Sequence, residues 1–275
     1  MKPVLYETHL HTPLCKHAEG LPGDYAAAAE SRGLKGIIVT CHSPMPDDFS
    51  ASVRMSPGQF PEYLDLVAQA RQDWAGRVDV RLGLESDYFP GMEGWLTELH
   101  QRADFHYILG SVHPQIREYM NRFYKKDWVE FHRGYFGHLA DAAESGFFDS
   151  LSHPDIVKNQ GSEFWDVEAL LPWIRPALDR IAQTGIAMEL NTSGLNKRIP
   201  EMNPGRGILH EIRTRNIPIT LGADAHQPER TGDKFVEALE LLREEGFSEV
   251  NYFLERQRIP VPIDNALASL ALVAK

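Results

Sequence analysis

Eight side chains of metal-binding type are spread along this chain: His9, His11, His42, Glu85, His113, His153, Asp224 and His226. His17, two residues past Cys15, extends the first cluster. Imidazole and carboxylate ligands suit zinc, iron or manganese and do not choose among them. His9-Leu10-His11 on a strand places both rings on one face, because side chains alternate with a period of two. A lone Glu in the middle of such a set can bridge two ions, one oxygen to each. Bridged ions about 3.5–4 Å apart can hold a hydroxide and clamp a phosphoryl oxygen. That is hydrolytic chemistry, and it needs neither a nucleophilic Ser or Cys nor a redox cofactor.

These residues must be positioned by the elements around them. The hydrophobic pattern predicts strands over 4–9, 36–40, 78–84, 105–110, 148–152, 186–190 and 217–222, with a last short strand at 250–254. Between them it predicts helices over 24–32, 57–74, 91–102, 127–145, 167–184, 205–215 and 234–245, with Pro172 and Pro176 as kink points. Such alternation argues for a parallel sheet, and seven units in this length fit a closed or nearly closed barrel. No Gly-x-Gly-x-x-Gly follows the first strand, which removes support for the dinucleotide-binding alternative. The candidate ligands fall at the C-terminal ends of six predicted strands, the face that carries the active site in a parallel barrel.

Composition narrows the function classes. The chain has 275 residues, 43% hydrophobic and 24% charged, an ordinary globular balance. It is read as one domain over 1–275. A net charge of −11 argues against a nucleic-acid partner. No apolar run reaches the ~20 residues of a membrane helix, and the N-terminus lacks a signal-peptide pattern, so a cytoplasmic protein is expected. Cys15 and Cys41 do not suggest a secreted disulfide scaffold. Cys41 reads as a small packing residue, and Cys15 leans the same way. His100, His106, His132, His138 and His210 fall in predicted helices or before a strand end and read as surface or packing residues. Segment 45–59 could narrow the mouth around a small molecule. Segment 266–275 reads as a packing helix or an interface, which leaves an oligomer open.

Taken together, several motifs resemble the polymerase-and-histidinol-phosphatase (PHP) superfamily, and within it the monofunctional histidinol-phosphatases. They are His9-x-His11 with Cys15-x-His17-Ala18, Gly83-Leu84-Glu85-x-Asp87-Tyr88, Gly110-Ser111-Val112-His113 and Asp224-Ala225-His226. Ser152-His153-Pro154-Asp155-Ile156-Val157-Lys158 and Glu189-Leu190-Asn191-Thr192-Ser193-Gly194 add two more. The resemblance implies a distorted (β/α)7 TIM-like barrel with three divalent ions. It places His9, His11, Glu85 and Asp224 on the first ion and treats these four as the catalytic set. It places Glu85 with His113 and His153 on the second, and His17, His42 and His226 on the third. It implies hydrolysis of the phosphomonoester L-histidinol phosphate, in histidine biosynthesis, by a hydroxide bridging the ions.

Basic side chains should also hold the phosphate; the candidates are Arg54, Lys158, Lys197 and Arg198. Asp155 and Asn191 are candidates for the layer behind the ligands or for substrate contacts. One departure stands out. The family's run after Thr-Ser-Gly-Leu is Arg-Lys, whereas this chain has Asn196-Lys197-Arg198. The competing readings are a PHP-type nuclease or broad phosphoesterase, an amidohydrolase-like metal enzyme, and a non-enzymatic metal-binding barrel.

Overall fold

The computed structural model describes residues 2–270. In chain order the elements are β1 (Tyr6–Glu7), α1 (Pro22–Ser31), β2 (Gly36–Val39), α2 (Phe60–Asp73), β3 (Asp79–Asp87), α3 (Glu93–His100), β4 (Tyr107–Ser111), α4 (Arg117–Phe123), α5 (Trp128–Glu144), β5 (Ser150–Leu151), α6 (Val167–Thr184), β6 (Ala187–Asn191), α7 (Arg206–Thr214), β7 (Ile219–Gly222), α8 (Phe235–Glu244), β8 (Glu249–Leu254), β9 (Gln257–Pro262) and α9 (Ile263–Leu270). The strands form one sheet in sequence order. Every neighbouring pair from β1 to β8 is parallel, and β9 returns antiparallel to β8. This is the expected alternating α/β architecture with seven strand–helix units, extended by a hairpin.

Local chemistry explains the element boundaries. Pro22 opens α1, and the Asp24 carboxylate accepts the Leu21 N–H at 2.7 Å. Asp127 and Asp166 cap α5 and α6 through the N–H groups of Glu130 and Ala169. Gly185 ends α6 at φ 74°. The helix runs through both Pro172 and Pro176. The strands β2, β4 and β6 are buried along their whole length, as strands covered on both faces must be.

Among the described residues, one β-bridge closes the ring. Leu10 forms a parallel bridge with Ala225: His11 N–H donates to Ala225 O and Ala225 N–H donates to His9 O, each at 2.9 Å. Further back, β8 lies beside the start of β1. The rings of Tyr6 and Tyr252 are 4.6 Å apart, and Lys35 Nζ donates to the Tyr252 hydroxyl. The segments following β7 and β1 therefore meet just past their C-terminal ends, while Tyr252 of β8 packs against Tyr6 of β1. The closed end is the one that carries the ligands.

Several expectations are corrected. Strand β3 runs to Asp87, so Glu85 lies inside it rather than at its end. β9 is an added strand; its Pro260 and Pro262 sit on the sheet's edge, where a missing N–H costs no ladder bond. Helix α4, too short for a periodic pattern, is also new. Of segment 266–275, residues 266–270 lie in α9 and the rest fall outside the described residues. Among the described residues, no helix is long and apolar enough to cross a membrane.

Candidate metal centre

Glu85 is the hub. It is fully buried, and a parallel bridge pairs it with His42. Its Oε1 lies 3.4 Å from His9 Nε2, 3.3 Å from His113 Nε2 and 3.2 Å from His153 Nε2. Its Oε2 lies 2.6 Å from His42 Nδ1 and 3.8 Å from His11 Nε2. Asp224 completes the inner set, with Oδ1 3.0 Å from His11 Nε2 and 3.6 Å from His9 Nε2. His226 stacks on His11 at 3.9 Å, and His17 lies 4.5 Å from His226. All nine residues singled out by type and spacing thus converge. Asp224 and His153 hold φ of 49° and 24°, a left-handed backbone costing ~1–3 kcal/mol each and typical of functional sites.

The donor chemistry fits divalent cations. His17 Nδ1 faces Cys15 O at 2.7 Å and His226 Nδ1 faces Asp224 O at 3.0 Å. A carbonyl only accepts, so each Nδ1 carries the proton, and in the neutral rings each Nε2 carries a lone pair. Those two Nε2 atoms face each other at 2.9 Å, an arrangement that needs a cation or a proton between them. Two further ring nitrogens, His9 Nε2 and His11 Nδ1, are buried with no hydrogen-bond partner, and His42 Nδ1 and Glu85 Oε2, though 2.6 Å apart, are not aligned as a hydrogen bond. Ligand atoms of His9, His11 and Glu85, of His42, Glu85 and His113, and of His17, His42 and His226 form groups within 4.8 Å. His11, Cys15 and His226 form another, so Cys15 sits closer to the centre than a pure packing residue would.

The charge balance agrees. Burial would raise the Glu85 carboxyl, but the rings of His42, His9 and His113 hold it well below the usual range. Burial opposes charge on His113, yet Asp87 and Glu85 push its pKa up to about 10. The carboxylates of this centre demand positive charge, and imidazoles supply it where ions would.

A supporting layer fixes the ligand rings, and much of it escaped the sequence reading. Glu189 Oε1 accepts from His9 Nδ1 at 2.8 Å, while its Oε2 accepts the His153 backbone N–H and Asn191 Nδ2, both at 2.9 Å. Asp87 Oδ1 takes His113 Nδ1 at 3.0 Å. These carboxylate–histidine pairs select the tautomer that points Nε2 at Glu85. The signal was available: Asp87 lies two residues past Glu85, and Glu189 two before Asn191, so each pair shares a strand face. Glu7 accepts backbone N–H groups of His9, Ala223 and Gly232, and burial pushes its pKa up to about 7. Gly222 is required here, since an added Cβ would lie 2.2 Å from Glu189 Oε1 and 2.7 Å from the His9 Cβ.

The expected phosphate contacts divide. Lys158 is fully buried, and its three N–H donors go to Asp155, Glu201 and Met202 O at 3.0–3.1 Å. It has no donor left for phosphate and ties the segment after β5 to the one before α7. Asp155 serves the same tie, accepting Lys158 and the Gly205 N–H. Lys158→Met should therefore cost about 3–5 kcal/mol of stability, because Asp155 stays buried without its cation. Urea unfolding measures this, and a loss below about 1 kcal/mol would mean the pair carries no more than a surface contact.

Arg54 is buried and bonded to Asp87, Ser43 O and Ser50 Oγ, so its main task is to hold Asp87. Asn191 braces Glu189, as a residue behind the ligands would. Arg198 is exposed and, among the described residues, makes no hydrogen bond or ion pair. Lys197 lines a cleft of about 350 Å³ over Asp224 and His226, together with Arg230, which the sequence did not flag. On the other side, segment 48–54 and residues 115–118 wall a cavity of about 570 Å³ that opens on His17, His42 and His113. Of the five remaining histidines, His100 bonds Ser86 Oγ, His132 bonds Gln160 O, His138 bonds the Tyr119 hydroxyl, His106 accepts the Glu255 N–H, and His210 is exposed.

A sequence model of the PHP domain matches residues 7–193, which include every candidate ligand position except Asp224 and His226. This chain belongs to the PHP-domain family. The PHP protein described here is 37% identical over 254 residues to the "Probable histidinol-phosphatase" of Deinococcus radiodurans, covering 90% of this chain and 96% of that one. It is 23% identical to the histidinol-phosphatase of Bacillus subtilis, covering 84% and 97% of the two chains. In fold it is similar to a histidinol phosphate phosphatase from Lactococcus lactis, crystallised with zinc, L-histidinol and phosphate. That match has a TM-score of 0.79 at 20% identity and covers 93% of this chain and 98% of the other.

Proposed function

We propose that this PHP protein is a one-domain, cytoplasmic, metal-dependent phosphomonoesterase that converts L-histidinol phosphate to L-histidinol and phosphate. The observation that carries the reading is the Glu85 hub, one buried carboxylate faced by five imidazoles and flanked by Asp224. His9, His11, Glu85 and Asp224 would hold one divalent ion, Glu85, His113 and His153 a second, and His17, His42 and His226 a third. Bound there, zinc, iron or manganese would neutralise charge on phosphoryl oxygens and make water a stronger nucleophile. The chain's own groups do the rest. Glu189 and Asp87 keep the Nδ1 atoms of His9 and His113 engaged, so their Nε2 atoms stay turned toward Glu85. The 570 Å³ cavity beside His42 and His113 has room for a small alcohol and not for a folded polynucleotide. The substrate assignment rests on the named relatives.

Phosphate release from L-histidinol phosphate by purified protein is the test, beside p-nitrophenyl phosphate and a short single-stranded oligonucleotide. A large kcat/KM preference for L-histidinol phosphate, lost on chelation and restored by metal, is expected. Equal turnover of the generic ester, or cleavage of the oligonucleotide, would overturn the substrate assignment.

A further inference from the structure

The cleft over Asp224 and His226 carries a second message. Once Lys158 is committed to internal acceptors and Arg54 to Asp87, the cations lining this cleft are Lys197 and Arg230. Arg230 follows Pro228 in a single turn of 3-10 helix just beyond the ligand pair Asp224 and His226. With its amide oriented to place oxygen toward the guanidinium, Asn196 accepts from both terminal nitrogens of Arg230, at 3.0 and 2.7 Å. Asp233 lies 3.0 Å from Arg230 Nε. The guanidinium is therefore clamped between two loops, one after β6 and one after β7. Of its five N–H donors, the parallel inner pair goes to Asn196 O, Nε forms an ion pair with Asp233 without an aligned hydrogen bond, and one outer N–H on each terminal nitrogen is unused. Those two outer N–H groups diverge in the guanidinium plane, so each can reach one oxygen of a ligand as a single charge-assisted donor.

Resting on the phosphomonoesterase reading above, we propose that Arg230, held by Asn196, binds the phosphoryl oxygens of the substrate from the cleft side. The ester's alcohol then extends toward the larger cavity across His17, which lines both spaces. Lys197 adds a point charge to the same cleft. The guanidinium that meets phosphate thus comes from the loop after β7, positioned by an asparagine on the loop after β6.

The test uses the metal-loaded full chain with Arg230→Gln, Arg230→Lys and Asn196→Ala. Inorganic phosphate serves as a competitive inhibitor, and p-nitrophenyl phosphate and L-histidinol phosphate as substrates. Arg230→Gln should raise the phosphate inhibition constant and the KM for both esters by about 10- to 100-fold, the weight of a charged hydrogen-bond pair. Metal content should stay at the wild-type level, a result that a merely structural role would not produce. Arg230→Lys should recover only part of the loss, since it supplies charge without the paired donors that hold Asn196. Asn196→Ala should give a smaller shift in the same direction and none further when added to Arg230→Gln. An unchanged inhibition constant in Arg230→Gln would overturn the proposal, as would metal loss in step with the KM change, or a shift seen in Arg198→Gln instead. Because the phosphate readout ignores the alcohol, it stands apart from the substrate assignment. A wild type indifferent to L-histidinol phosphate would sink that assignment and leave the Arg230 result to be judged alone.

Discussion

Glu85→Gln is expected to lose bound metal and more than about 100-fold in kcat/KM while keeping its fold. The floor comes from the 10–100-fold cost typical of losing a group behind the ligands, which a shared ligand must exceed. Every ring around the hub contributes to the argument. Both oxygens of Glu85 face imidazole nitrogens, so the amide of Gln would turn its NH2 toward at least one of them. That nitrogen would be recruited as an acceptor and withdrawn from metal binding, and the centre would also lose a negative charge. Elemental analysis together with phosphate release checks this. Near-normal metal content and turnover in Glu85→Gln would remove Glu85 from the centre of the account.

Glu189→Gln should weaken metal binding by about 10–100-fold with little change in unfolding temperature. The polarity of its contacts sets the outcome. Glu189 Oε2 is fixed by two donors, the His153 backbone N–H and Asn191 Nδ2. The Gln oxygen must take that place, which turns the NH2 toward His9 Nδ1. His9 Nδ1 then becomes an acceptor, and its proton moves to Nε2, the atom aimed at Glu85 and Asp224. The ring stays where it was and presents the wrong nitrogen. Metal titration of the stripped variant reads this directly, and an affinity within twofold of wild type would contradict it.

The gathering of the candidate ligands was legible in the sequence for a physical reason. Metal chemistry restricts residue type, and parallel α/β topology gathers strand ends on one face, so type and position reinforced each other at His9, Glu85, His113 and Asp224. The supporting carboxylates were half legible. Asp87 and Glu189 share strand faces with flagged residues, but which histidine each would meet depends on contacts across the barrel. Arg230 left no local signature, because its role follows from meeting Asn196 across two loops. Lys158 shows the reverse: a basic residue beside a ligand looks like a phosphate contact until burial and three internal acceptors are seen. The hairpin of β8 and β9 was hidden by its own prolines, which forbid a central strand and permit an edge.

The most direct test follows phosphate release from L-histidinol phosphate while zinc is titrated into chelator-stripped protein. The account predicts no release from the stripped chain and a rise that saturates only as the third ion is bound. Release without metal, or full activity at one ion per chain, would contradict it.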